Sequence, residues 1–160
     1  MKLFSRRALG TAPRRNSREE RDLPRIVLTV AAFAATTANA APASIAGNWN
    51  TDDGRAIVTV APCGGGLCAT ISRFLFAEPP GGVRDAKNPD PKLRNRRVLG
   101  SNVLWNLKPA GKTWAGTGYS ARDGRTFKAT ASSDGGRLNL KGCVMVFCKT
   151  VVWTRVQPLT

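Results

Sequence analysis

Residues 125–141 read RTFKATASSDGGRLNLK, and their alternation decides the fold. Phe127, Ala129 and Ala131 fall on one side of an extended chain, with Thr126, Lys128 and Thr130 on the other. A period of two is the signature of a strand with one face buried. Residues 133–136 (SDGG) then supply a turn, because glycine tolerates positive φ and Asp bonds to nearby backbone. Leu138 and Leu140 resume the alternation against Asn139 and Lys141.

The same grammar extends both ways. Turn residues recur at 52–54, 62–66, 109–111 and 122–124, and no stretch between them holds a sustained 3.6-residue apolar period. Eight strands are predicted near 45–51, 55–61, 67–76, 97–107, 112–120, 125–132, 137–143 and 147–156. Short strands joined by tight turns form an antiparallel meander. Closure into a barrel removes the exposed edges of such a sheet. The expectation is an all-β chain, a single up-and-down antiparallel barrel of about eight strands. Leu99, Val103, Trp105 and Leu107 are expected on one face. Gly116 and Gly118, inside one strand, predict a bend or a close approach of neighbouring atoms.

The first forty residues differ from the rest. Residues 1–25 hold eight basic and three acidic side chains, 26–38 are uncharged and mostly apolar, and Ala38-Asn39-Ala40 follows. That order describes a secretory signal peptide at 1–40, cleaved after Ala40. The apolar run of 13 residues falls short of the roughly 20 that a spanning helix needs, so no membrane anchor is expected. A single domain, 41–160, would then reach the periplasm or the medium.

From Ala41 onward there are seventeen Lys/Arg against seven Asp/Glu. Such a balance suits an anionic partner: a lipid headgroup, an acidic polysaccharide of the envelope, or nucleic acid. Zinc spacing, a recognition-helix pattern and an aromatic-rich basic stripe are all missing, which argues against nucleic acid.

Four cysteines, Cys63, Cys68, Cys143 and Cys148, form two C-x4-C pairs. In an exported chain an even count implies disulfides, and four cysteines allow three connectivities. The glycines at 64–66 permit a tight reversal, and the second pair has the same spacing. Geometry therefore favours local bridges, Cys63–Cys68 and Cys143–Cys148. The chain has no histidine, so neither a Ser-His nor a Cys-His nucleophile pair can form. Each carboxylate has Arg or Lys close by in sequence, a setting for ionised rather than proton-donating acids. A non-enzymatic protein without metal or cofactor is expected.

One connection breaks the rule of short turns. Residues 77–96 contain no strand pattern, and such long connections in compact domains usually carry function. Within and beyond it lies DAKNPDPKLRNRRVLG, 85–100. Two roles suit its polar residues. Arg94, Arg96 and Arg97 can face an anion as a binding lid. Alternatively, Asp85 and Asp90 pair with those arginines, and Asn88 fixes a turn, pinning the segment over the barrel mouth.

Two sets of residues resemble known families. Gly47-Asn48-Trp49 near the start, with Arg155 on the last strand, resembles the calycin signature of lipocalin-like barrels. The resemblance implies that Arg155 lies over the Trp49 ring and seals one end. The pattern Asp85-x-x-Asn88-Pro89-Asp90-Pro91 through Arg94-x-Arg96-Arg97, with Asp53-Gly54-Arg55, Pro62-Cys63-Gly64-Gly65, Asp123-Gly124-Arg125 and Trp153-Thr154-Arg155, resembles domain of unknown function 2147. Ala69, Val98 and Phe127 depart from that family's usual residues. The resemblance spans about 45–156 and implies an exported bacterial lipocalin-like barrel. It brings no activity. The expectation is a binder of a small or amphiphilic ligand; the alternative is an envelope interaction protein acting through its basic surface.

Overall fold

The computed structural model describes residues 40–157. The expected signal peptide lies outside them, apart from Ala40. Eight strands run in chain order: β1 Gly47–Asn50, β2 Ala56–Cys63, β3 Gly66–Phe74, β4 Asn102–Ala110, β5 Thr113–Ser120, β6 Arg125–Ser133, β7 Arg137–Val144 and β8 Phe147–Arg155. Each pairs antiparallel with the next, and β1 pairs with β8, so the sheet closes. The closing seam is short: Trp49 opposite Arg155 and Asn50 opposite Thr154.

Burial follows the alternation. Leu138 and Leu140 are buried and Asn139 is exposed; Ala129 and Ala131 are buried while Lys128 is exposed. Glycine makes room where the interior needs it. A Cβ on Gly118 would collide with the Phe127 ring, and one on Gly142 would come within 2.9 Å of it. Phe127 therefore lies over two bare stretches of backbone. Gly116 lets the Trp105 and Asn106 carbonyls of the neighbouring strand approach.

β4 departs from the expected alternation. The inward residues are Leu104 and Leu107, while Trp105 is half-buried and Leu99 precedes the strand. The cause is a shift in register between Trp105 and Lys108, at Asn106, whose φ is 54°. One extra residue turns the side chains that follow to the opposite face. The strand also begins later than 97. The long connection runs over 75–101, and it holds a 3-10 turn at Pro91–Leu93 and an antiparallel contact between Arg84 and Arg97. It is therefore more regular than a bare loop.

The two ends of the barrel differ. The β2–β3, β4–β5 and β6–β7 turns lie at one end, with Ile45 and Trp49 fully buried near it. The β1–β2, β5–β6 and β7–β8 turns share the other end with the 75–101 connection.

Candidate functional site

At the sealed end, Arg155 stacks its guanidinium 4.2 Å from the Trp49 ring centroid. It also donates to the Ala46 carbonyl at 3.1 Å and to that of Gly135. Gly47 is required there: its φ is 127°, and a Cβ would lie 2.6 Å from the Arg155 guanidinium. The Trp49 indole donates to the Ile45 carbonyl at 2.8 Å. Val60, Leu67, Leu107 and Leu138 fill this half.

The other half is hollow. A cavity of about 1240 Å³ opens through the mouth. Val58, Ile71, Leu104, Phe127, Leu140 and Trp153 form its apolar depth. Six cationic side chains line it, Arg55, Arg84, Lys87, Arg122, Arg125 and Lys149, against three acidic ones, Asp52, Asp53 and Asp123. Arg122 is paired with Asp53 at 2.6 Å. Burial pushes the Asp53 carboxyl up, but hydrogen bonds from Thr51, Arg122 and the Arg55 backbone outweigh it and hold the group below the ordinary value. Arg55 lies over the Phe76 ring at 4.6 Å.

The 75–101 connection crosses this end on a buried polar knot. Asp85 is only 1% exposed. Its Oδ1 accepts from the Tyr119 hydroxyl at 2.6 Å. Its Oδ2 accepts from Asn88 Nδ2 at 2.7 Å and from Arg96 at 2.8 and 2.9 Å. Burial pushes this carboxyl up; the donors from Tyr119, Asn88 and Arg96 pull it further down, and the net position is below the ordinary value. The Tyr119 hydroxyl is raised, by burial first and then by its bond to the carboxylate. Four donor contacts on a buried carboxylate satisfy it without exposing it to water.

The remaining polar residues of the segment shape the chain. Asn88 Oδ1 accepts from the Asp90 backbone at 2.9 Å, and Asp90 caps the 3-10 turn by accepting from the Lys92 backbone at 3.0 Å. Arg94 donates to the Asn88 carbonyl at 2.9 Å. Arg97 pairs with Glu78 at 3.3 Å. Thus Arg94, Arg96 and Arg97 bond within the connection and do not line the cavity. Among the described residues Asp90 pairs with no arginine; the partner of its carboxylate is backbone. The cysteines bridge locally, Cys63 to Cys68 and Cys143 to Cys148, with Cα separations of 5.7 and 4.1 Å.

Sequence reasoning missed Tyr119 and the cavity cations. Tyr119 is the chain's single tyrosine, at the end of a predicted strand, and nothing in the sequence ties it to the 77–96 loop. Arg55 and Arg125 belong to the quoted family pattern and Arg122 to a turn, and none of the three is marked by the sequence as lining a cavity.

The comparisons agree with this architecture. The family described as "Uncharacterized protein conserved in bacteria (DUF2147)" matches residues 47–155. Among solved structures, a Helicobacter pylori protein, HP1028, described as belonging to the lipocalin family, is similar at 24% identity and a TM-score of 0.62. That match covers 71% of this chain and 84% of the other, and at this identity it speaks to the fold. No curated protein matches the chain.

Proposed function

This chain belongs to the DUF2147 family of bacterial proteins, and from that premise we propose that it is an extracytoplasmic carrier of one small anionic amphiphile, held inside the barrel. The observation that carries this reading is the cavity, apolar in depth and cationic at its mouth. Its roughly 1240 Å³ exceeds the ~300–1,000 Å³ of common ligand sites, which leaves room for a hydrocarbon tail and a head group. Burial of the tail supplies affinity, and the cations select the head by charge.

The periplasm is the compartment that fits. Two disulfides favour an oxidising environment, and the residues before Ala41 carry the pattern of an export signal. The 75–101 connection acts here as a fixed rim. Asp85, Asn88 and Arg96 hold it to Tyr119, and the ligand meets Arg55, Lys87, Arg125 and Lys149 instead.

A titration with dodecanoate, dodecanol and dodecyltrimethylammonium tests the assignment. Dodecanoate should bind saturably at one per chain, about tenfold or more tighter than the cationic analogue, since charge-assisted hydrogen bonds to the head favour the anion. Arg125→Glu with Lys149→Glu should erase that preference while leaving the fold intact. Equal affinity for all three probes, or no saturable binding, would reject the reading.

A further inference from the structure

The β7–β8 turn breaks a pattern that every other strand connection of the described residues obeys. Those connections carry glycine at positive φ, at Gly54, Gly64 and Gly65, Gly81 and Gly82, Gly111, Gly124 and Gly135. Here the chain reads Val144-Met145-Val146-Phe147. Met145 occupies the left-handed region at φ 53°, where Gly, Asn or Asp is the ordinary choice in a two-residue hairpin. An apolar side chain has been placed where the backbone disfavours it.

These side chains do not pack. Met145 is 93% exposed, Val146 84% and Phe147 80%. The tip is nonetheless held rigidly, because Cys143 and Cys148 are bridged directly beneath it and Val144 pairs with Phe147. A stapled, exposed apolar point on an otherwise polar set of turns invites contact with something apolar.

Its surroundings identify the partner. Lys128 sits opposite Cys143 and Lys149 opposite Gly142 in the ladders below the tip. The same end of the barrel presents Arg55, Arg84, Lys87 and Arg125, and it is the end where the cavity opens. An apolar wedge ringed by cations matches the boundary between acyl chains and acidic head groups. We propose that the 144–147 tip docks the protein on an anionic phospholipid bilayer, mouth toward the lipid. This placement goes beyond ligand binding in solution, and it stands even if the cavity's occupant is of another class.

Co-sedimentation with vesicles tests it. The purified protein should bind phosphatidylglycerol/phosphatidylcholine vesicles, and binding should weaken steeply as salt rises. Pure phosphatidylcholine should retain far less. Met145→Asn with Val146→Ser keeps a residue suited to the turn at 145, and neither position lines the cavity. That double variant should lose about tenfold or more in vesicle affinity, from the apolar surface removed, with its melting temperature and dodecanoate affinity unchanged. Lys149→Gln should lose about fivefold on anionic vesicles only. Undiminished vesicle binding by the double variant overturns the proposal. So does a wild-type protein that ignores anionic vesicles, or one that sediments as a dimer in free buffer and becomes monomeric on mutating the tip.

Discussion

At Asp85, burial and hydrogen bonding pull in opposite directions, and the hydrogen bonds win. Removing the carboxylate strands a buried Tyr119 hydroxyl and leaves Arg96 without its ion-pair partner. Asp85→Ala should therefore lower stability by about 1–3 kcal/mol, the cost of leaving buried donors of Tyr119 and Asn88 unsatisfied, as read by urea unfolding. Asp85→Asn should lose less, since it keeps an acceptor for Tyr119. The pH dependence follows from the direction of the shift. The folded carboxyl lies below the unfolded value of 3.8, so its contribution is complete above pH 3.8 and fades as pH falls through the lower folded value. The gap in melting temperature between wild type and Asp85→Asn should narrow below pH 3.8 and hold steady above it. At this scale the sequence was partly legible. Asp85 and the arginines stood out by charge, and Asn88 by its place in a turn motif. Which arginine meets which acid depended on the fold of the connection, which turns Arg96 inward and leaves Asp90 to cap backbone.

Strands were legible wherever one face is buried and the other wet, because the solvent boundary writes itself into every second residue. β4 was misread because a bulge is a property of two strands in register. Asn106 opposes no residue of its own, and nothing in VLWNLK announces that. The same holds for close approaches. Gly118 was flagged, yet the atom it admits, the Phe127 ring, belongs to the neighbouring strand. Gly118→Ala should cost about 1–3 kcal/mol, as overpacking does, and enlarging Phe127 to Trp should not rescue it. At Gly124 a Cβ would collide with the Lys87 carbonyl, and φ is already +67°. Gly124→Ala should thus lift the long connection off the β5–β6 turn. Hydrogen exchange at the Asp85 and Val98 amides, which bond to Arg96 and Val83 carbonyls, should accelerate while amides of β7 and β8 stay protected.

For the whole molecule, closure and hollowness are separate achievements of one sheet. The barrel closes across a seam of two residue pairs, reinforced by Arg155 on Trp49 and on two carbonyls. Arg155→Ala should lower stability by about 1–3 kcal/mol, from the cation–π contact and lost hydrogen bonds. Its effect should appear in thermal melts and leave ligand affinity nearly unchanged, because the seal lies at the end away from the cavity. The barrel itself could be read from strand count and turn spacing. Its open half could not, because cavity volume is set by which side chains are absent from a layer. Only the paired positions of Val58, Ile71, Leu104 and Leu140 around that space make it visible. The direct test is methyl NMR during a dodecanoate titration. Methyls of Val58, Ile71, Leu104 and Leu140 should shift together and show contacts to the alkyl chain. Shifts confined to exposed methyls such as those of Met145 and Val152, with the interior silent, would contradict the account.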